Sequence, residues 1–338
     1  MDRRHLLLAS AAGLGAVCLP RHAAAAEIGE VSIARGFAIP HLPVMVMEHQ
    51  KLYEKHLKAA GLPNTVVTWG TIGSGSAMND ALLSNTLSFA TGGPPPMLTL
   101  WGRTWSTSRE VRGVCAQATM PLYLNTRNPN VRTVRDFGTD DRIAVGAIKS
   151  SIQAILLQME AAKELGQENY AKFDELTVGM NSVDATTAIR SPPNPLNSNY
   201  SIPPFQYDEL KRPDIHRVVS SYETMGEPHT FSIVWTTNRF RTANPLTYGA
   251  FIAAIRDATE LINTDKPAVA RMYLELTRAK NSPDDIVALL QDPEIEYTMQ
   301  PRGIMKFASF MNRIETLKVS PSSWKDLFFP EIHDLAGS

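Results

Sequence analysis

The chain has 338 residues, of which 43% are hydrophobic and 20% are charged, and its formal net charge is -1. This composition is that of a globular protein with two lobes or one large domain. The charge balance argues against nucleic acid as a partner, because proteins that bind it concentrate positive charge on one face.

The first 26 residues have the pattern of an export signal. Two adjacent arginines, Arg3 and Arg4, precede the apolar run Leu6–Leu19, and a row of alanines ends at Ala26. A charged start, an apolar run of this length and small terminal residues predict a signal peptide over 1–26. The run is short for a membrane-spanning helix, so we expect a periplasmic protein without stable membrane insertion. The export route stays open between the twin-arginine and the Sec pathway.

Strands and helices alternate in the following hundred residues. Strands are predicted at 30–35, 65–70 and 87–91, and helices at 43–61, at 76–83 and from Pro94 onwards. This order predicts a mostly parallel sheet with helices on its faces, and ligands of such sheets bind at the carboxyl ends of the strands. A further apolar run surrounds Cys115, the one cysteine outside the predicted signal, and predicts a strand with a buried structural thiol.

The same alternation returns after residue 140. Strands are predicted at 142–148, 175–180, 216–222 and 230–237, helices at 151–166 and 182–191, and a loop rich in Pro, Asn and Ser at 191–205. Beyond Asn244 only helices are predicted, with start signals at Asn244–Pro245 and Ser282–Pro283. These helices need a sheet to cover, because their apolar positions form a stripe along one side.

The stretch GTIGSGSAMND, Gly70–Asp80, fits none of three enzyme motifs. A phosphate-binding loop needs Lys at the position of Ser76, and a dinucleotide fingerprint needs Gly at the position of Met78. A G-x-S-x-G nucleophile elbow is also absent from the stretch. Two alternatives fit: a loop whose N–H groups and hydroxyls bind a polar or anionic group, or a plain strand-to-helix turn with Ser as N-cap.

The run from Gly73 to Pro96 resembles the periplasmic solute-binding proteins of the nitrate, taurine and aliphatic-sulfonate ABC import systems. The matching positions are Asp80, Ala81, Leu82, Ser84, Asn85, Leu87, Gly93 and Pro96. Ser88 departs from the pattern, because the family commonly has Asp there. The segments VRTVRDFGTDDRIAVG and ELKRPDIHRVVSS also resemble the family, and the resemblance covers about residues 28–338.

The resemblance implies an α/β, two-lobed type II binding-protein fold, in which each lobe is a mostly parallel sheet flanked by helices and the C-terminal part is all helical. Lobe one would comprise 28–121 and 236–338 and lobe two 122–235, with crossings near Pro121–Leu124 and Ile233–Trp235. The implied function is that of the extracytoplasmic substrate-binding component of an ABC importer. Such a protein is a monomer without catalytic activity, cofactor or metal, and it delivers one small solute to a permease and its ATPase subunit.

Under this resemblance, ligand contacts come from loops at the strand ends of both lobes. In lobe one these are Phe37, Pro40, His41, Thr71, Ser74, Gly75, Thr91, Gly92 and Gly93. In lobe two they are Ser150, Ser151, Asn199, Tyr200 and Phe205. The two serines either cap a helix only or also donate to the ligand, and the two rings either line the cleft or hold their loop in place.

The expected pocket lacks clustered Arg or Lys and lies near Phe37, Trp69 and Tyr200. These features favour a sulfonate-like organic anion, held by N–H and hydroxyl donors, over nitrate. His41, His49 and His56 do not fit a metal-binding motif. Two alternatives stay open for the function, namely binding of a thiamin-type pyrimidine precursor, or a periplasmic ligand-sensing subunit that docks on a receptor instead of a permease.

Overall fold

A computed structural model of the protein describes residues 27–36, 38–72 and 75–338, and of Ser76 the backbone only. The predicted signal peptide, residues 1–26, and the predicted site residues Phe37 and Ser74 lie outside the described residues. Within the described part of the chain, no helix is both long enough and apolar enough to cross a membrane.

The strands form two groups, and helices lie between them along the chain. The strands are β1 (Glu30–Arg35), β2 (Val66–Thr71), β3 (Ala90–Gly92), β4 (Val111–Thr119), β5 (Tyr123–Thr126), β6 (Ile143–Val145), β7 (Thr177–Gly179), β8 (Ser198–Ser201), β9 (His216–Ser220) and β10 (Thr230–Thr237). The helices are α1 (Leu42–His49), α2 (Leu52–Ala59), α3 (Gly75–Leu83), α4 (Pro94–Thr104), α5 (Ile152–Leu165), α6 (Ser182–Ile189), α7 (Phe205–Leu210), α8 (Ser221–Met225), α9 (Asn238–Ala243), α10 (Pro245–Thr264), α11 (Lys266–Thr277), α12 (Pro283–Leu290), α13 (Ile304–Arg313) and α14 (Trp324–Leu327).

The two sheets have the same strand order and directions. In the first, β2 pairs in parallel with β1, a parallel bridge from Ile33 to Phe89 joins β1 to the β3 segment, and β10 lies antiparallel between β3 and β4. In the second, the order is β7-β6-β8-β5-β9, with β6 parallel to both of its neighbours and β5 antiparallel to both of its own. Each sheet is therefore mostly parallel, as predicted, and its antiparallel strand is the one that arrives from the other sheet. We call the first sheet with its helices lobe one and the second sheet with its helices lobe two.

Several predicted elements are confirmed, and one predicted helix is wrong. The strand around Cys115 is β4, and the Cys115 thiol is free and fully buried, which raises its pKa. The helix predicted over 43–61 is instead two helices, α1 and α2. Lys51, between them, has a left-handed backbone with φ of 50°, which a continuous right-handed helix cannot contain.

The predicted loop over 191–205 contains strand β8, which lies in the middle of the second sheet. Its polar side chains are buried, and those of Ser198, Asn199 and Ser201 have partners inside the lobe. Asn199 Nδ2 and Ser201 Oγ both donate to one carboxylate oxygen of buried Glu209, at 2.6 and 2.9 Å. Polar composition predicts a loop, but here one buried acceptor group supplies the hydrogen bonds that allow a polar strand inside a sheet.

The C-terminal helices cover the first sheet, as predicted. Helix α10 packs against α1 and α2, and α13 packs against α4. The predicted boundary of lobe two at residue 235 would cut through β10, because residues from Thr230 onwards pair with β3 and β4 in the first sheet. We therefore propose that the chain crosses between the lobes at 120–122 and at 221–229.

A buried hydrogen-bond chain connects the two crossing segments. The N–H of Leu122 donates to Ser221 Oγ at 2.9 Å, Ser221 Oγ lies 2.8 Å from His229 Nε2, and His229 Nδ1 lies 3.0 Å from the carbonyl oxygen of Thr230. The carbonyl can only accept, so Nδ1 donates to it and Nε2 accepts from the serine hydroxyl. Burial lowers the pKa of His229 to about 4, so this neutral chain is intact at neutral pH.

The free energy of unfolding is expected to fall as His229 gains a proton in the unfolded chain. The folded-state pKa of about 4 lies below the ordinary value of 6.5. The contribution is therefore fully present above pH 6.5 and is lost between pH 6.5 and pH 4, by roughly 3 kcal/mol in total. Urea unfolding at several pH values should show this loss in the wild type. In His229→Gln the free energy of unfolding should depend less steeply on pH, by at most about 1.4 kcal/mol per pH unit. An equal dependence of the free energy of unfolding on pH in both proteins would contradict the assignment to His229.

Candidate functional site

A cavity of about 160 Å³ lies between the two lobes, at the ends of strands from both sheets. The lining residues of lobe one are Gly36, Ala38, His41, Ile72, Gly75, Met78, Thr91, Gly92, Gly93, Pro96 and Phe231. The lining residues of lobe two are Gly146, Ala147, Ser150, Ser151, Ile152, Gln153, Asn181, Ser182, Val183, Ile202 and Phe205. This is the position at which α/β sheets of this topology bind ligands.

The structure brings eight of the sequence-predicted site residues together in this cavity. They are His41, Gly75, Thr91, Gly92, Gly93, Ser150, Ser151 and Phe205. Thr91 and Gly92 are the last two residues of β3, and the other six lie in the segments between a strand and a helix or at a helix start, which is the region from which they were predicted.

Four other predicted site residues do not line the cavity. Thr71 is exposed at the end of β2, and Pro40 is buried with its carbonyl oxygen accepting from Ser232 Oγ. Asn199 and Tyr200 belong to β8, where the amide of Asn199 donates to Glu209 and the ring of Tyr200 is buried in the core. They were predicted from a loop, and as part of a central strand they lie within lobe two instead of at its edge.

Two helices of lobe two begin at the cavity with unused N–H groups. Ser151 caps α5 by accepting from the N–H of Ala154 at 3.2 Å, and Asn181 caps α6 by accepting from the N–H of Asp184 at 3.0 Å. Each cap leaves the two N–H groups nearest the helix start without a partner among the described residues: Ile152 and Gln153 in α5, Ser182 and Val183 in α6. The positive ends of both helix dipoles therefore face the cavity together with free donors.

Helix α4 of lobe one also begins at the cavity, but its start differs chemically. Its first three residues are Pro94, Pro95 and Pro96, and none of them has an N–H group. Pro96 itself lines the cavity with its ring. The start of α4 therefore presents an apolar surface where an ordinary helix would present donors.

The cavity has no permanently charged side chain among the described residues that line it, and His41 is the only titratable one. A Cβ on Gly36 would lie 2.2 Å from Cδ2 of the His41 ring, so only glycine permits the ring to lie there. Burial lowers the pKa of His41 to about 4, and the Arg35 guanidinium acts in the same direction. The imidazole is therefore neutral at neutral pH. The described lining residues therefore offer a ligand the dipoles of N–H, hydroxyl and amide groups instead of a charged side chain.

Two glycines of the cavity wall pack closely against buried rings, Gly75 against Pro96 and Gly92 against Trp235. Trp235 Nε1 donates to Asn79 Oδ1 at 3.1 Å, and Asn79 Nδ2 donates to the carbonyl oxygen of Pro96 at 2.9 Å. A Cβ on Gly75 would lie 2.6 Å from the Pro96 ring, and one on Gly92 would lie 3.0 Å from Trp235. Gly75, at the start of α3, and Gly92, at the end of β3, thus permit close packing of the cavity wall.

The three histidines at positions 41, 49 and 56, which the sequence does not predict to form a metal site, have separate surroundings. His56 Nε2 lies 2.8 Å from Asp257, and His49 Nε2 lies 3.7 Å from Glu275, whereas His41 lines the cavity. No group of three or more His, Cys, Asp and Glu side chains within the described ranges is placed to hold a metal ion.

The sequence predictions missed several lining residues, most of them in lobe two. Asn181 and Ser182 follow β7 as Ser150 and Ser151 follow β6, so the same helix-start signal would have found them. Gln153 gave no signal, because a polar residue in the first turn of a helix is ordinarily solvated. Ile202 and Phe231 are apolar residues beside strand ends, and their sequence pattern does not distinguish them from core residues.

No family model matches the sequence, and no curated protein matches it. Solved structures do match the fold. The alkanesulfonate-binding protein SsuA from Xanthomonas axonopodis pv. citri, bound to MOPS, has a TM-score of 0.66 at 15% identity, over 87% of this chain and 96% of that one. The periplasmic aliphatic sulphonate-binding protein SsuA from Escherichia coli has a TM-score of 0.64 at 13% identity, over 90% and 92%.

The periplasmic nitrate-binding protein NrtA from Synechocystis PCC 6803 is similar in the same way, with a TM-score of 0.67 at 12% identity over 89% of this chain and 84% of that one. These likenesses extend over both sheets and the C-terminal helices. The protein therefore has the two-lobed α/β fold of periplasmic binding proteins, as predicted.

Proposed function

We propose that the protein captures a small organic anion between its lobes, as the extracytoplasmic substrate-binding component of an ABC importer, and delivers it to a permease with its ATPase subunit. The observation that supports this most is the cavity itself, in which two helix starts present free N–H groups and no charged side chain competes with the ligand. Such a site binds an anion by hydrogen bonds and helix dipoles. We further propose a periplasmic location, to which the predicted signal peptide would direct the chain.

The size of the cavity favours a small solute. Its volume of about 160 Å³ is close to that of an engineered protein cavity of roughly 150 Å³ that holds benzene. A ligand with a body of about six non-hydrogen atoms fits this space. Long-chain and multi-ring compounds do not fit unless the lobes open further.

The walls favour an organic anion over an inorganic one. Ile72, Met78, Pro96, Phe205 and Phe231 give the cavity apolar surface from both lobes. The rings are Phe205 and Phe231, whereas two of the aromatic residues expected from the sequence, Trp69 and Tyr200, do not line it. Contact with these walls removes apolar ligand surface from water, which nitrate cannot exploit. The similar structures include two proteins described as binding aliphatic or alkane sulfonates, which supports a sulfonate-like head group.

The lobes already touch beside the cavity. A Cβ placed on Gly93 of lobe one would lie 2.9 Å from Cβ of Ile152 in lobe two, which is closer than real Cβ atoms approach. Ile152 is itself almost fully buried. Glycine at 93 thus lets the lobes come together over the ligand, and this approach takes the bound ligand out of water.

Thermal unfolding with a ligand panel tests the proposed function. The panel contains ethanesulfonate, butanesulfonate, benzenesulfonate, taurine, nitrate, bicarbonate and an aminopyrimidine. We expect a small organic sulfonate, at a hundred times its dissociation constant, to add about 2.7 kcal/mol and raise the melting temperature by roughly 5 °C. Nitrate and bicarbonate should give no shift. A shift with inorganic anions only, or with the pyrimidine only, would contradict the sulfonate assignment.

The variant Gly93→Ala is expected to hold the lobes apart. Its added methyl group meets Ile152 of the other lobe, so the lobes can separate instead of compressing the contact. Small-angle scattering should give a larger radius of gyration for the ligand-bound variant than for the ligand-bound wild type, and the thermal shift by sulfonate should shrink.

The control for this variant is Gly249→Ala, at an exposed position in α10 where no atom lies within 4 Å of the added Cβ. It should add up to about 1 kcal/mol of stability and leave the radius of gyration and the thermal shift unchanged. Equal scattering curves for Gly93→Ala and wild type would show that position 93 does not limit closure.

A further inference from the structure

The side chain of Gln153 is a polar group without a partner in the wall of the cavity. Gln153 is 8% exposed and lines the cavity, and its amide makes no hydrogen bond to any described residue. A Cβ on Gly146 would lie 3.2 Å from Oε1 and 3.3 Å from Nε2 of this amide, so the amide lies flat against the glycine backbone. The amide oxygen and nitrogen are therefore open to the cavity with their hydrogen-bonding capacity unused by the described residues, so a ligand in the cavity can reach them.

Other donors surround the Gln153 amide. The backbone N–H groups of Ile152 and Gln153 are free at the start of α5, as described above. Ser151 Oγ accepts from the N–H of Ala154, which leaves its own proton to donate, and Ser150 also lines the cavity. With the amide NH₂ group, these donors can serve the three oxygens of a sulfonate-like head group, at the positive end of a 14-residue helix.

The part of the opposite wall at the start of α4, in lobe one, presents no free donor for a second anionic group among the described residues. The first turn of α4 has three prolines and no N–H group. The nearby hydroxyl of Thr91 is already used, because Oγ1 donates to the carbonyl oxygen of Ala34 at 3.1 Å. Met78 and Pro96 complete an apolar surface there.

We propose that Gln153 binds the anionic head group of the ligand at the start of α5, and that the uncharged body of the ligand lies against the proline turn of α4. The inference rests on the proposed function. It adds that the ligand has one charged end and that this end points towards the start of α5. The ligand class is thus a small monoanion with an uncharged tail, and a compound with an anionic group at both ends is excluded.

The experiment compares two glutamine variants within one helix by titration calorimetry and thermal unfolding, with propanesulfonate as the probe. Gln153→Met removes the amide and keeps the length of the side chain, so the affinity should fall by about 10- to 100-fold. The melting temperature of the ligand-free variant should change little, because the amide faces the cavity and makes no hydrogen bond to a described residue.

Gln158→Met is the matched control. Gln158 lies in the same helix and is also buried, but its Nε2 donates to both carboxylate oxygens of Asp174, at 2.9 and 3.1 Å, and it does not line the cavity. Its replacement should lower the melting temperature and leave the affinity unchanged. If Gln153→Met instead lowered the melting temperature as Gln158→Met does and kept full affinity, Gln153 would be a structural residue and the inference would be wrong.

A second titration tests the orientation with propane-1,3-disulfonate against the wild type. We expect binding at least 100-fold weaker than that of propanesulfonate, because the second sulfonate would lie against the proline turn without donors. Equal affinity would overturn the single-headed assignment and leave the proposed function intact. If the wild type bound neither compound, the proposed function and the head-group assignment would both fail.

Discussion

The cavity depends on one constraint, which is that a backbone N–H group turned away from bulk water must find a hydrogen-bond partner. The first two residues of α5, Ile152 and Gln153, are buried and meet the cavity with such groups unpaired, whereas the start of α6 meets it from an exposed position. Parallel strands end, and the following helices begin, at one edge of each sheet, so two sheets that face each other bring these helix starts together. The unpaired N–H groups at the cavity therefore follow from the topology of the sheets. A solute with several acceptor oxygens can accept hydrogen bonds from them.

Neutral donors make this site different from one built on Arg or Lys. Each N–H group is fixed by its helix and needs no reorientation when the ligand arrives, but it attracts an anion only over a short range. The interaction gains strength as water leaves, since hydrogen bonds are stronger in a low local dielectric. Close approach of the lobes at Gly93 and Ile152 is thus part of the binding chemistry, and the small residues of the cavity wall are what permits it.

Local sequence signals predicted the parts of the fold that obey local rules. The alternation of strands and helices predicted both mostly parallel sheets. The positions at the predicted strand ends included eight of the residues that line the cavity, from both lobes. The failures have tertiary causes. The polar side chains of β8 can be buried because Glu209, in another element, accepts their hydrogen bonds. The helix predicted over 43–61 is interrupted by the left-handed backbone of Lys51, which the composition of the segment does not indicate. The position of Gln153 in the cavity wall depends on its packing against Gly146 and on the opposite lobe. These contacts are tertiary, so the local sequence around Gln153 does not predict them.

Two histidines, His229 and His41, lie where the lobes are joined and where they enclose the cavity. His229 belongs to the hydrogen-bond chain between the two crossing segments, and His41 lies in the cavity wall. Burial lowers the pKa of each to about 4, so neither changes its charge near neutral pH. A ligand or a proton shifts an equilibrium between two conformations only if it binds one conformation more strongly than the other. With the crossing and the cavity both in fixed protonation states, that difference comes from the ligand, through the donors of α5 and α6 that it completes when the lobes are together.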